Sequence, residues 1–456
     1  MQTLNLKRLT VIVSTLVALG LLAGCGDSSP SNTPDAGIEA GTGDGPSGLQ
    51  TIAEIAIGNP DFSTLVAAVQ KAELVDVISG AGPFTVFAPN NKAFEDAGIT
   101  SLDGFTKEQL QQIILYHVIQ GATVKAADVK AGPVTSAADL TFFIGTDSGV
   151  TINGGNAVSG GANVVATDIE ASNGVIHVID RVMLPPDIPT LATYGGLGEL
   201  VNAVVAAGNV GNDKLVDVLK GAGPFTVFAP TDDAFKAIAA PTDPDALRDV
   251  LLYHAIGASV ASDAIPPKAD SLLQNKWGNG VTLLFDTSSG AKVNDASVVI
   301  ADLKATNGVV HVIDKVLLPP NIVDMATIAG FSELLGAVGA AADLPGPTKV
   351  ADALAADKPY TVFAPTNAAF GAITPPTDPA VLRDVLLLHV VEAAAPVLSS
   401  GLPSTPVDTL LSGEQLSFNA GGPSVSSAGT AGAAIGPFDI NVTNGVIHVI
   451  DKVLLP

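Results

Sequence analysis

The sequence predicts a tandem array of three domains, each built from both helices and strands, and three recurring blocks predict it. The first is "NGVIHVID" at Asn173–Asp180, followed by "NGVVHVID" at Asn307–Asp314 and "NGVIHVID" at Asn444–Asp451. The second is "GPFTVFAPNNKAF" from Gly82, "GPFTVFAPTDDAF" from Gly223 and "KPYTVFAPTNAAF" from Lys358. The third ends an apolar stretch in histidine: "ILYHVI" around His117, "LLYHAI" around His254 and "LLLHVV" around His389. His117 and His254 lie 137 residues apart, and His254 and His389 135. His177 and His311 lie 134 apart, and His311 and His448 137. All six histidines therefore occupy two equivalent positions in three copies. Such a period exceeds the ~20–50 residues of solenoid repeats and matches a whole domain.

The front of the chain is of another kind. Lys7 and Arg8 precede an apolar run, Leu9–Leu22, which is short for a membrane span and suits a signal sequence. It ends "LLAGC", with Cys25, the only cysteine, directly after small residues. That resembles the lipobox of bacterial lipoproteins, in which the thiol is acylated and the preceding residues are removed. The alternative is an ordinary signal peptide with an incidental cysteine. From Gly26 to Gly48 almost nothing could be buried, so a disordered tether is expected, reaching about 25–30 Å on average. The expected division is a leader at 1–24, the acylated cysteine and tether at 25–49, and domains at 50–186, 187–320 and 321–456. A single cysteine allows no intrachain disulfide, so each domain rests on its core alone.

Apolar residues make up 47% of the chain and charged ones 14%, which fits a well-packed exported protein. A formal charge of −24 repels phosphate backbones and anionic bilayers. Nucleic acid is excluded as a partner, and contact with a membrane is expected through the lipid anchor only.

Caps and periods order the elements within a copy. In the second copy Thr242 or Asp243 caps a helix that has Pro244 in its first turn. Leu247, Val250, Leu251 and His254 then fall on one helical face. The first copy repeats this with Thr106 as cap, Gln109 completing a capping box, and the stripe Leu110, Ile113, Ile114 and His117. The third has Leu382, Val385, Leu386 and His389. Upstream, "TVFAP" is a β-branched and aromatic strand stopped by Pro89, Pro230 or Pro365, after which an Asn or Thr/Asp cap starts a short helix. Asn-Gly marks a turn, and "VIHVIDRVML" reads as a strand with apolar residues on both faces. His177, His311 and His448 are accordingly expected as neutral core imidazoles bonded to a backbone or carboxylate partner. His117, His254 and His389 belong to the buried helix stripe.

The blocks "TVFAPTNxAF" and "NGVIHVIDKVLLP", with a Tyr-His helix end between them, resemble the fasciclin domain family over about residues 50 to 456. The resemblance implies an α+β fold in which two short β-sheets pack as a wedge with several helices on one side. It also implies extracellular adhesion and matrix contact rather than catalysis. Adhesion residues carry over where the sequence matches. The Tyr-His element is Tyr116-His117 and Tyr253-His254, with Leu388-His389 departing in the third copy. The Asp-Ile element is Asp168-Ile169 and Asp439-Ile440, with Asp302-Leu303 in the second. Animal members present these residues to receptors of the integrin type. In a bacterial lipoprotein they are read first as fold residues.

The chain contains no H-E-x-x-H, Cys pair, G-x-S-x-G, Walker loop or EF-hand spacing, so neither an enzyme, a metal nor a cofactor is expected. "GAGPF" offers no anion site, because a strand rather than a helix follows it. The carboxylates of "TDDAF" and "TDPDALRD" fit helix caps better than metal ligands. Two functions remain. One is an adhesion or scaffolding lipoprotein of the cell envelope, on the outer membrane or cell surface, meeting matrix, glycan or envelope proteins through weak multivalent contacts. The other is a binder of a small apolar ligand such as a carotenoid or lipid, needing a groove lined by residues such as Trp277 or Phe142-Phe143. Short proline-bearing junctions make neighbouring domains touch, in an extended array of roughly 110 Å.

Overall fold

The computed structural model describes residues 48–155, 160–208, 215–341, 350–419, 423–437 and 439–456. The leader, Cys25 and nearly all of the expected tether lie outside them.

In the first repeat Thr51, with Glu54, builds a capping box on helix α1 (Ile52–Gly58). Helices α2 (Ser63–Lys71) and α3 (Val75–Ile78) follow. The β-branched run then forms strand β1 (Phe84–Pro89), buried along its whole length. Asn90 caps helix α4 (Asn91–Asp96), and Thr106 with Gln109 caps helix α5 (Lys107–Tyr116). Strand β2 (Val118–Gln120) returns beside β1. Strands β3 (Gly132–Thr135), β4 (Thr141–Gly145), β5 (Thr151–Ile152), β6 (Ala162–Ala171) and β7 (Gly174–Ile179) complete the repeat. The sheet order is β2-β1-β7-β6-β5-β4-β3, with β1 and β7 parallel and the other pairs antiparallel. The second repeat has the same order. In the third, the counterpart of β6 is split into Ala433–Ala434 and Ile440–Val442, and two four-stranded sheets result. The α+β architecture is thus as expected. In the first two repeats, however, the two sheets are continuous through the long, bulged β6 strand.

Strand alternation divides each repeat into two cores. Val86 and Ala88 face the helices with Phe62, Leu65 and Ile176. Phe87 faces the other way, with Tyr116, Phe142, Ile152 and Ile179. The same pairs of clusters recur in the second and third repeats.

The Asn-Gly turn ties these parts together. Asn173 is buried, and its side-chain oxygen accepts from the Ile52 N–H at the start of α1. Its amide donates to the carbonyls of Ile78 and Gly80 at the end of α3. Its own carbonyl accepts from the Phe84 N–H at the start of β1. Asn307 does the same for Ile188, for Leu219 and Gly221, and for Phe225. Asn444 serves Ile322, Leu354 and Ala356, and Tyr360. The following glycine lets the strands approach: a Cβ on Gly174 or Gly308 would lie 2.0 Å from the carbonyl oxygen of Phe84 or Phe225.

Consecutive repeats meet through a threonine contact and an apolar insertion that occur twice, with Lys268, Asn275 and Lys276 adding bonds to Asp439, Val442 and Asp357 at the second joint. Thr141 at the start of β4 accepts, through its hydroxyl oxygen, from the Lys304 N–H of the second repeat. Thr282 accepts in the same way from the Asn441 N–H of the third. Two residues along, Phe143 packs against the core of the second repeat and Leu284 against that of the third. The Lys304–Asp139 ion pair across the first joint is solvated, so it adds about 0–1 kcal/mol, and the apolar insertion dominates.

Gly308→Ala is expected to cost roughly 3 kcal/mol, because the parallel strand pair must separate to admit the methyl group. Gly330→Ala, at a positive φ of 73° with nothing within 4 Å of the added Cβ, should cost only about 1–2 kcal/mol. Urea unfolding of the two variants checks the difference, and equal losses would contradict the close-approach argument.

Candidate functional site

The histidines and the residues beside them are the chemically richest groups of each repeat. Helices Lys107–Tyr116, Pro244–Tyr253 and Pro379–Leu388 end at His117, His254 and His389, all buried. Asp243 caps the second of these helices and Asp378 the third. Nδ1 of each histidine lies 2.7–2.8 Å from the carbonyl four residues back, on Ile113, Val250 or Val385. Nε2 accepts, at 2.9 Å, from the N–H of Met183, Leu317 or Leu454, just beyond the second histidine strand. A carbonyl can only accept and an amide N–H only donate, so these partners assign the Nδ1–H tautomer. Burial pushes all three imidazoles down to about 4.

His177, His311 and His448 take the opposite tautomer. Nε2–H donates to the carbonyl of Val124, Val260 or Val397 at 2.8–2.9 Å. Nδ1 accepts from the N–H of Asp168, Asp302 or Asp439 at 3.2–3.3 Å. The rings lie 5.4–5.6 Å from Phe87, Phe228 and Phe363 of the neighbouring parallel strand. Each aspartate sits at positive φ (59°, 58° and 52°), the sharp bend at which the long strand bulges in the first two repeats and is interrupted in the third. Its carboxylate caps a loop, accepting from the Ala126 N–H in the first repeat and from both N–H and hydroxyl of Ser262 or Ser399 in the others. Each strand histidine thus connects a strand bulge to a loop carbonyl. Both ring nitrogens of all six histidines are engaged with the backbone.

The remaining adhesion candidates surround this network. Tyr116 and Tyr253 are fully buried, and their hydroxyls donate to the carbonyls of Thr141 and Thr282, the two joint residues. Asn153 and Asn294 donate back to those hydroxyls. Burial pushes both phenols up. In the third repeat Leu388 fills this place, also fully buried. Leu303 and Ile440 are buried, while Ile169 is half-buried. Among the described residues no group of three or more His, Cys, Asp or Glu is placed to hold a metal. Phe142 is buried in the core and Phe143 lies in the first joint, so neither walls an open groove. Trp277 is half-buried, with the Lys276 ammonium 4.7 Å from its ring centre. A cavity of about 50 Å³ lies among the helices of the first repeat, lined by residues such as Ala56, Phe62, Val69 and Ile114.

Sequence reasoning did not identify Asn173, Asn307 and Asn444 as more than turn residues, nor Thr141 and Thr282 as joint residues. The asparagine signal was present, since Asn precedes Gly in all three copies.

The fasciclin domain model matches residues 60–185, 200–319 and 336–456. The chain belongs to the fasciclin domain family. It is 46% identical over 142 residues to Protein sll1483 of Synechocystis sp., covering 30% of this chain and 74% of that protein. It is 28% identical over 422 residues to rabbit transforming growth factor-beta-induced protein ig-h3, covering 90% of this chain. The chain spans 57% of the rabbit protein's length. A solved domain pair from the insect cell adhesion molecule Fasciclin I is 17% identical, with a TM-score of 0.37, covering 57% of this chain and 98% of that one.

The helix-end histidines make stability depend on pH. Their folded values lie below the ordinary 6.5, so between about 6.5 and 4 the unfolded chain takes up protons that the folded chain refuses. The stability they allow is complete above about pH 6.5 and is lost as pH falls towards 4, at about 3 kcal/mol per histidine in the limit. Urea midpoints at pH 7 and 4.5 should differ accordingly, and His254→Gln should shrink the difference. An unchanged difference would rule out His254 as a contributor.

Proposed function

We propose that this protein is a surface-anchored adhesion or scaffolding lipoprotein, held in the cell envelope by an acylated Cys25. Its three modules make weak contacts with matrix, glycan or envelope partners. The observation that carries this reading is the repeated joint: Thr141 and Thr282 hold consecutive modules in the same way, so equivalent surfaces recur at set positions. Weak contacts on such an array reinforce one another, because every contact after the first is intramolecular.

The reading is also non-catalytic. Each neutral imidazole has one proton and one lone pair to offer, and the backbone takes both. Tyr116, His117, Tyr253, His254 and His389 act as fold residues, as do the bulge residues Asp168, Ile169, Asp302, Leu303, Asp439 and Ile440. The small-ligand alternative draws no support from the cavity in the first repeat. At about 50 Å³ it is far below the roughly 300–1,000 Å³ of pockets that enclose ligands of drug size.

Cys25→Ser is expected to move the protein from the membrane to the soluble fraction without unfolding it, and unchanged sedimentation with membranes would contradict the anchor. The purified chain should be colourless and, once immobilised, retain matrix or envelope components. A pigmented or lipid-loaded protein that supports no attachment would overturn the adhesive reading in favour of a ligand carrier.

A further inference from the structure

The joint between repeats is directional. A strand of one repeat supplies a threonine hydroxyl and, two residues on, an apolar side chain: Thr141 and Phe143, then Thr282 and Leu284. The next repeat supplies the receiving face, made of its bulged strand and, at the first joint, its first helix. Every repeat carries this face, but only the second and third have a preceding repeat on it. Burial records the difference. Leu303 and Ile440 on the receiving strands are 4% and 2% exposed, whereas their counterpart Ile169 is only partly buried. On the first helix Leu191 and Met325 are buried, whereas Ile55 is only partly buried. Ile57, on the same helix, is 61% exposed, but its counterparts Thr193 and Thr327 are exposed as well, so this position lies outside the joint.

The opposite end of the series is closed off. At the positions of Thr141 and Phe143 the third repeat has Gln415 and Ser417, both exposed and polar. A head-to-tail contact that does not close on itself propagates into filaments. Polar residues on the strand Gln415–Asn419 deprive this chain of the insertion with which it would add copies of itself. Among the described residues, the receiving face of the first repeat keeps the apolar Ile55 and Ile169 in place of such a polar block.

We propose that the face formed by Ile55 and Ile169 is a docking site for the strand equivalent to β4 in a fasciclin-type domain on a different protein. That strand carries threonine and, two residues later, a bulky apolar side chain. The inference rests on continuity with the joint the chain makes twice, and it does not depend on the adhesive reading. Charge refines the partner. Lys304 faces Asp139 across the first joint, two residues before Thr141, and at the second joint Asn441 is matched by the neutral Gly280. The first repeat has Glu170 at this position, paired with Lys125 of its own repeat, so its partner carries a neutral or basic residue there rather than an acid.

Rebuilding the missing strand on the full chain tests the site. Gln415→Thr with Ser417→Phe alters two exposed positions, and Ser417→Leu, which copies Leu284, serves as a second donor. In sedimentation velocity at micromolar concentration, wild type should remain monomeric and either donor variant should form a ladder of dimers and longer species. Excess wild type, with a receiving face but no inserting strand, should shorten that ladder to dimers. Adding Ile55→Asp or Ile169→Asp, with the circular dichroism of the folded chain unchanged, should return the variants to monomer. Monomeric donor variants would overturn the proposal. So would a ladder that persists with both aspartates present, because association would then reflect only a sticky new apolar side chain.

Discussion

Every repeat depends on one buried asparagine. An amide side chain offers one acceptor and two N–H donors, and each of these asparagines uses both kinds of group on backbone atoms that nothing else nearby pairs in the same way. The acceptor takes the first N–H of the opening helix, one of the four such groups a helix leaves without internal partners. The donors go to carbonyls where the third helix ends. Its backbone carbonyl starts the parallel strand pair through the Phe225 N–H in the second repeat. Two helices and two strands far apart in sequence are thereby positioned by one residue. The glycine after it is needed for the same reason, since the strands could not close around a Cβ.

The two histidines extend this logic to the rest of the repeat. The helix-end histidine completes its own helix through the carbonyl four residues back and holds the backbone just after the second histidine strand. The strand histidine holds the bulge of the long strand and the loop that the bulge aspartate caps. Groups that would signal catalysis on a surface serve here as backbone connectors. Because each is neutral and paired, the core accepts them without an isolated buried charge. The tyrosine adds a link to the neighbouring repeat, since the Thr282 that accepts its proton at the carbonyl also receives the third repeat at its hydroxyl.

Much of the fold was legible in the sequence because its signals are local and repeated. The caps Thr106 and Asp243, the stripe from Leu247 to His254 and the proline that stops each TVFAP strand all act within a few residues of themselves. The histidine environment was legible only in part. Apolar neighbours on both strand faces implied burial, but not which carbonyl each ring would meet, because Val260 lies 51 residues from His311. The role of Asn307 was hidden for the same reason: its partner Ile188 is 119 residues away, and a local reading sees only an Asn-Gly turn. The joint was hidden too, since an exposed Thr-x-Phe pattern looks like any strand until the next domain is placed on it. The continuous sheet of the first two repeats follows from the bulge at Asp168 and Asp302, which bends the long strand without breaking it. In the third repeat the same strand is interrupted between Ala434 and Ile440.

The most direct measurement of the asparagine's role is native-state hydrogen exchange on Asn307→Ala. Truncation leaves the Ile188 N–H and the carbonyls of Leu219 and Gly221 without the side chain that pairs them in the second repeat. The predicted result is a loss of about 2–4 kcal/mol, with protection falling together at Ile188, in Leu215–Leu219 and along Phe225–Pro230. Exchange slowed as in wild type at all three segments, or loss confined to the turn itself, would contradict the claim that this side chain organises the repeat.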